Sequence, residues 1–211
     1  MQMTTALSPF REPKSRDNKW ISCYSTTRNK MLSDWTVDQL HIRPYQQILE
    51  VGYGQGFGLE LAARKLKVGL LAGIDESMLM YQKAYLKNKK LVQQQLLQLH
   101  LGTIQELPYP HQYFHTIYGS NIHFSWEDPA AAFIQLINML KTGGKLVMTF
   151  QPVWASGSKE VDREADQIAR AFEESGLIDV ELILERCASC QLYCGNRFQR
   201  LPVVGSLPSP L

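Results

Sequence analysis

Apolar positions along this chain follow two rhythms. Over 29–40, Met31, Leu32, Trp35, Val37 and Leu40 recur at the spacing of one helix face, and Pro44 ends the run. Residues 47–51 read as a first core strand, followed by a helical pattern over 59–67. The continuous apolar run 68–74, closed by Asp75, predicts a strand buried on both faces. A second helix is expected over 77–88, extended or repeated through 92–95. Alternation over 96–101 predicts a third strand, and 114–120 a fourth. The next helix, 128–140, has Asp128 in position to cap it and Pro129 at its first position. Thr142-Gly143-Gly144 stops that helix ahead of a fifth strand at 145–150. A helix over 159–175 closes at Gly176, and 180–186 and 189–193 read as two short antiparallel strands.

Seven strands alternating with helices at this spacing predict a doubly wound α/β sheet. Its parallel pairs need crossover helices, and the crossovers should be right-handed. Ligands of such sheets bind beyond the carboxyl ends of the strands, which is where the polar and glycine-rich segments of this chain fall.

Composition removes several alternatives. With 211 residues, 45% of them hydrophobic, the chain suffices for one domain with a sizeable core. A formal charge of +2 gives no electrostatic case for nucleic acid or an anionic membrane. No apolar run is long enough to span a bilayer, and no secretory signal is legible. Cys187, Cys190 and Cys194 form C-x2-C-x3-C, the reverse of the C-x3-C-x2-C order of radical enzymes. Zinc would need a fourth ligand from distant Cys23 or a histidine. The cysteines are therefore read as structural, with no metal and a reducing cytoplasm as the setting.

Residues 48–58 concentrate the chemistry. An apolar strand ends in Glu50, glycine then recurs at Gly52, Gly54, Gly56 and Gly58, and a helix begins. Glycine suits a turn that needs positive φ and a backbone that a ligand must touch. The helix start offers free N–H groups and a positive dipole end. A dinucleotide loop would require G-x-G-x-x-G, but the third position falls on Phe57 or Leu59, so an NAD-dependent oxidoreductase is not supported. The pattern Glu50-x-Gly52-x-Gly54-x-Gly56 instead resembles motif I of the class I S-adenosylmethionine-dependent methyltransferases, with an aromatic residue, Tyr53, inside the loop.

Further segments carry the same resemblance in the family's order. Gly73-Ile74-Asp75-Glu76-Ser77-Met78-Leu79-Met80 is similar to the stretch in which an acidic residue holds the ribose, which implies Asp75 on the ribose and Glu76 and Met80 beside the adenosine. Asp75 or Ser77 could equally cap the following helix. In Gly102-Thr103-Ile104-Gln105-Glu106-Leu107-Pro108-Tyr109, Thr103 replaces the acidic residue that accepts from the adenine amino group. A hydroxyl can still accept there, and Ile104 would pack on the adenine face. Ser120-Asn121-Ile122-His123-Phe124-Ser125-Trp126-Glu127-Asp128-Pro129 resembles motif IV of the small-molecule methyltransferases called type 11, which include quinone-biosynthesis methyltransferases. It departs from the N/D-P-P-Y/F motif of enzymes acting on nucleic-acid bases. Upstream, Asn29, Leu32 and Trp35, then Leu40, Ile42 and Pro44, match a bacterial subgroup.

The resemblance spans about 29–195 and implies a Rossmann-like mixed seven-stranded sheet, helices on both faces and an antiparallel C-terminal strand. It divides the chain into an extension and lid helix over 1–45, a donor-binding core over 46–195 and a proline-bearing tail over 196–211. It implies S-adenosylmethionine as cofactor and methyl transfer to a small-molecule acceptor, in a monomer or homodimer. Ser120 and Asn121 would border the cofactor, Trp20, Tyr24 and Trp126 would wall the acceptor pocket, and His123 is the candidate general base. Met78, Leu79 and Tyr81 are expected in the core. Two other readings stay open: a non-catalytic domain that binds the cofactor or its product, and an RNA- or protein-directed methyltransferase.

Overall fold

The computed structural model describes residues 19–122, 126, 128–150, 158–182, 185–186 and 199–208. Its helices are α1 (Lys19–Gln39), α2 (Phe57–Leu66), α3 (Met78–Gln93), α4 (Pro129–Met139) and α5 (Ser158–Glu174). Its strands are β1 (Gln46–Val51), β2 (Gly69–Asp75), β3 (Leu97–Leu101), β4 (Phe114–Ser120), β5 (Leu140–Phe150), β6 (Ile178–Leu182), β7 (Glu185–Arg186) and β8 (Gln199–Ser206).

An unbroken apolar strand has no face to give to water, so β1 and β2 must lie inside a sheet covered on both sides. They do: among the described residues seven strands follow the order β3-β2-β1-β4-β5-β8-β6, and β7 pairs with β8. β1 runs parallel to β2 and β4, with Leu49 opposite Ala72 on one side and Ile117 on the other. β8 is antiparallel to both β5 and β6. The period-two alternation of side chains splits the core in two. Ile48, Leu71, Leu97 and Tyr118 pack with Val37 and Leu40, Leu59 and Leu66 of α2, and Ala84 of α3. Leu49, Ile74, Ile117 and Met148 face Phe133 and Leu136 of α4 and Ile168 and Phe172 of α5.

Local signals explain the boundaries. Asp128 Oδ1 accepts from the Ala131 N–H at 3.0 Å with Pro129 following, as expected for the start of α4. Gly176, at φ 89°, closes α5. α3 carries a kink at Asn88, where the helical pattern was expected to pause. Two readings change. β5 begins at Leu140, and its register against β4 jumps from Leu140 to Lys145, so Thr142-Gly143-Gly144 is an irregularity within a strand rather than a separate helix stop. The antiparallel partner of β6 is β8, well beyond 189–193, which lie outside the described residues. Half of the segment read as a tail, Gln199–Ser206, is thus a sheet strand between β5 and β6. No helix among the described residues is long and apolar enough to cross a membrane.

Candidate active site

The glycine turn leaves β1 and enters α2 through three left-handed residues, Gly52 (φ 70°), Gly54 (φ 53°) and Gly56 (φ 76°). They differ in what surrounds them. At Gly52 a Cβ would lie 2.6 Å from Ile122 Cδ1, and at Gly56 2.6 Å from Asn88 Nδ2. At Gly54 a Cβ would meet nothing within 4 Å. The middle of the loop is therefore the part open to a ligand, while its flanks are packed.

Two carboxylates brace the turn. Gly56 has no side chain with which to cap α2, and Glu50 performs that task from β1 by accepting from the backbone N–H of Leu59. Its Oε2 also accepts from the Tyr118 hydroxyl at 2.9 Å. Glu50 is only 3% exposed, and burial pushes its carboxyl up to about 8 despite both donors. Burial, then the neighbouring Glu50, raises the Tyr118 hydroxyl well above its ordinary value. Asp75, at the end of β2, accepts from the Gly54 N–H at 2.8 Å and from the Ser77 N–H at 2.9 Å. Ser77 caps α3, accepting from Met80 N, so Asp75 is spared for the loop.

A cleft of about 520 Å³, including its mouth, opens against the loop. Glu50, Gly52, Tyr53, Gly54, Gln55 and Phe57 form one side; Ser120 and Asn121 at the end of β4, with Asn29, Leu32 and Ser33 of α1, form the other. Asn121 sits at φ 55°, a strained setting for a residue with a side chain, directly where β4 delivers it to the cleft.

Asp75, Glu76, Met80, Thr103 and Ile104 lie outside this lining, towards β2 and β3, joined to it through the Gly54–Asp75 bond. Glu76 is exposed and Met80 half-buried. Thr103 caps a short 3-10 turn over Ile104–Glu106: its N–H and its hydroxyl both donate to Glu106 Oε2, at 2.7 and 3.1 Å, leaving the hydroxyl oxygen as an acceptor. These two bonds hold the exposed Glu106 carboxyl below its usual range. Ile104 packs into the core. Tyr53 is buried with its ring beside Gly73 and Leu59, and its hydroxyl donates to the His100 carbonyl at 3.0 Å.

Trp126 stands edge-on to Phe133, with ring centroids 5.3 Å apart, and is not one of the residues lining the cleft. Trp20 and Tyr24 fall in the first turns of α1, where side chains lie outside the described set, as does His123 altogether. Met78 and Leu79, expected in the core, are 54% and 52% exposed, because α3 turns its Ala84 and Asn88 face inwards. Residue reading alone missed Ser33 and Asn88. Asn29, Leu32 and Ser33 share the i, i+3, i+4 spacing of one helix face, which was the available signal.

A glycine turn after the first strand, an acidic residue ending the second, and a single antiparallel strand in an otherwise parallel sheet define the class I methyltransferase architecture. The Methyltransferase domain family matches residues 49–148. An uncharacterized methyltransferase of Bacillus subtilis (strain 168), YdaC, is 30% identical over 155 residues, covering 73% of this chain and 83% of that protein. The chain belongs to the class I S-adenosylmethionine-dependent methyltransferases. Among solved structures, geranyl diphosphate methyltransferase in complex with S-adenosylmethionine superposes with a TM-score of 0.65 at 12% identity, covering 92% of each chain. The [4+2]-cyclase SpnF superposes with a TM-score of 0.66 at 16% identity, covering 86% of this chain and 82% of its own. One fold thus carries two chemistries, and the activity assignment rests on the sequence family and not on the superposition.

Proposed function

We propose that this protein transfers the methyl group of S-adenosylmethionine to a small-molecule acceptor, with the donor lying across the open face of Gly54. The observation that carries this reading is the pairing of an unobstructed Gly54 with the Asp75 carboxylate that grips its N–H. Asp75 uses one lone pair of each oxygen on the protein and keeps others for ribose hydroxyls. Thr103 offers an oriented acceptor to the adenine amino group, Glu76, Met80 and Ile104 border the adenosine, and Ser120 and Asn121 border the amino-acid end. Gly52, Tyr53 and Gly56 shape the turn and Glu50 holds it.

The sulfonium supplies an activated leaving group when the donor is bound. The chain's task is to hold the methyl in line with a nucleophile and to exclude water. α1 suits that task as the wall over the cleft, which matches a lid role for the N-terminal region. An acceptor protonated at working pH needs a base, and His123, two residues beyond Asn121, is the group proposed for it. Trp20, Tyr24 and Trp126 remain the proposed acceptor contacts. A charge of +2 and a cleft partly roofed by a helix favour a small acceptor over RNA.

Calorimetric titration with S-adenosylmethionine, S-adenosylhomocysteine and NADH tests the reading. Micromolar binding of the first two alone is expected, followed by turnover of labelled methyl donor on a small-molecule pool. Binding without turnover on any pool would leave a cofactor-binding domain, and no binding would remove the site.

A further inference from the structure

Three hydroxyls join α1 to the ends of β4 and β5 immediately behind the cleft wall. Thr36 Oγ1 lies 2.7 Å from the Leu32 carbonyl oxygen, 2.7 Å from Thr149 Oγ1 and 3.1 Å from Ser120 Oγ. Ser120 Oγ and Thr149 Oγ1 are 2.9 Å apart. Thr36 and Thr149 are fully buried, whereas Ser120 is half-buried and lines the cleft.

Each hydroxyl owns one proton, and that settles the directions. The Leu32 carbonyl can only accept, so the Thr36 proton goes to it. The short contact between Thr36 and Thr149 must then be made by the Thr149 proton. Ser120 in turn donates inwards, to Thr149 or to Thr36. Thr149 Oγ1 also lies 3.4 Å from the Gly119 carbonyl oxygen, at the outer edge of hydrogen-bond range, so its proton goes to Thr36 at 2.7 Å. The Leu32 carbonyl and the three hydroxyls then take up all three protons, and Ser120 shows the cleft only lone pairs. A wall of that kind receives a donor-only group and rejects an acceptor.

We propose that Thr36 is a positioning residue: through this relay it fixes Ser120 as a hydrogen-bond acceptor for the ammonium at the amino-acid end of the methyl donor. The inference rests on the donor reading above. That reading sets the ribose at Asp75, on the far side of the glycine loop, and directs the amino-acid end towards Ser120 and α1. The same three hydroxyls seat α1, so the wall over the cleft and the polarity of Ser120 are set together.

Replacing Thr36 by the near-isosteric valine removes the nearest acceptor of the Thr149 proton. Ser120 Oγ at 2.9 Å is then closer than the Gly119 carbonyl at 3.4 Å, so the proton turns to Ser120 and frees the Ser120 proton to point into the cleft. Wild type, Thr36→Val and Thr36→Ser are titrated with S-adenosylhomocysteine and with 5′-methylthioadenosine, which keeps the nucleoside and the thioether but lacks the amino-acid end. The expected result is S-adenosylhomocysteine affinity lowered about fivefold in Thr36→Val, the worth of roughly one hydrogen bond, with 5′-methylthioadenosine affinity kept and both restored in Thr36→Ser. Equal losses for the two ligands, or no loss, would show a purely structural hydroxyl and overturn the proposal. Wild type binding neither ligand would bring down the donor reading and the proposal with it. Ser120→Ala supplies an independent arm should the valine variant not fold: it must show the same selective loss, and unchanged S-adenosylhomocysteine affinity in it also overturns the proposal.

Discussion

The Asp75 carboxylate holds the backbone N–H of Gly54 at 2.8 Å, so the residue expected to read the donor's ribose also sets the loop on which the donor lies. The register explains the meeting. Val51 of β1 is opposite Ile74 of β2, so the first turn residues of one strand emerge beside the last residue of the other. Asp75→Ala therefore removes two things at once, a charged acceptor and the tether that preorganises Gly54. S-adenosylhomocysteine affinity should fall by at least about 1.5 kcal/mol, more than tenfold, because hydrogen bonds to charged groups are the stronger kind. Wild-type affinity in a calorimetric titration of this variant would remove Asp75 from the site.

Asn88 illustrates a support that no motif contains. It is 2% exposed, and its Nδ2 donates to the Gly56 carbonyl and the Ala84 carbonyl, each at 3.1 Å. Two acceptors fix the amide orientation, and the other end, Oδ1, has no hydrogen-bond partner. Asn88→Asp turns the donor into an acceptor against two carbonyls and should cost about 2–3 kcal/mol of stability or more. Asn88→Leu loses the same two bonds but also removes the orphaned oxygen, and should cost less. Chemical denaturation of the two variants checks the order; aspartate tolerated better than leucine would show that the amide is not what holds the loop.

The legible parts of this fold were those in which local signals and global pattern agree. β1 and β2, buried on both faces, were legible from their apolar residues to within one position, β4 was read over Phe114–Ser120 as it stands, and Asp128-Pro129 marked the start of α4. β8 was hidden by its own residues. Pro202 lacks an N–H and argues against any central strand, yet Pro202 pairs in register with Thr149. A strand that joins its neighbours antiparallel also leaves no crossover pattern to read. At the site, the glycines and Asp75 were legible because their chemistry is local. Thr36 and Tyr118 were not, because their partners lie 113 and 68 residues away in the chain, and only the sheet order brings them together.

Stability should fall as the pH rises from mildly acid to mildly alkaline. Glu50 is raised from an ordinary 4.5 to about 8 in the folded chain, so between those values the folded state holds a proton that the unfolded state has released. Its contribution is fully present below about 4.5, declines through the interval and is gone above about 8. The decline amounts to a few kcal/mol at one proton's slope. Glu50→Gln removes the titration while keeping the shape, so its unfolding free energy should lie flatter over pH 5–8 than that of wild type. Parallel curves for the two proteins would show that Glu50 is ionised throughout.

Gly58 offers the sharpest test of the packed side of the turn, because here two effects have opposite signs. It lies inside α2 with ordinary helical φ, and replacing a helical glycine by alanine at an open position gains about 1 kcal/mol. The Gly58 position is not open. An added Cβ would come 2.4 Å from Glu50 Oε1 and 2.8 Å from Oε2, and Glu50 cannot retreat without giving up the Tyr118 hydroxyl and the Leu59 N–H. Leaving a buried carboxyl without its donors costs more than the propensity gain, so Gly58→Ala should destabilise by about 2 kcal/mol or more. In a Glu50→Ala background the obstacle is gone and the propensity term should reassert itself, making Gly58→Ala neutral or stabilising. A double-mutant cycle measured by denaturation reads that coupling directly. Additivity of the two substitutions would mean that glycine is required at 58 for some reason other than the approach of Glu50.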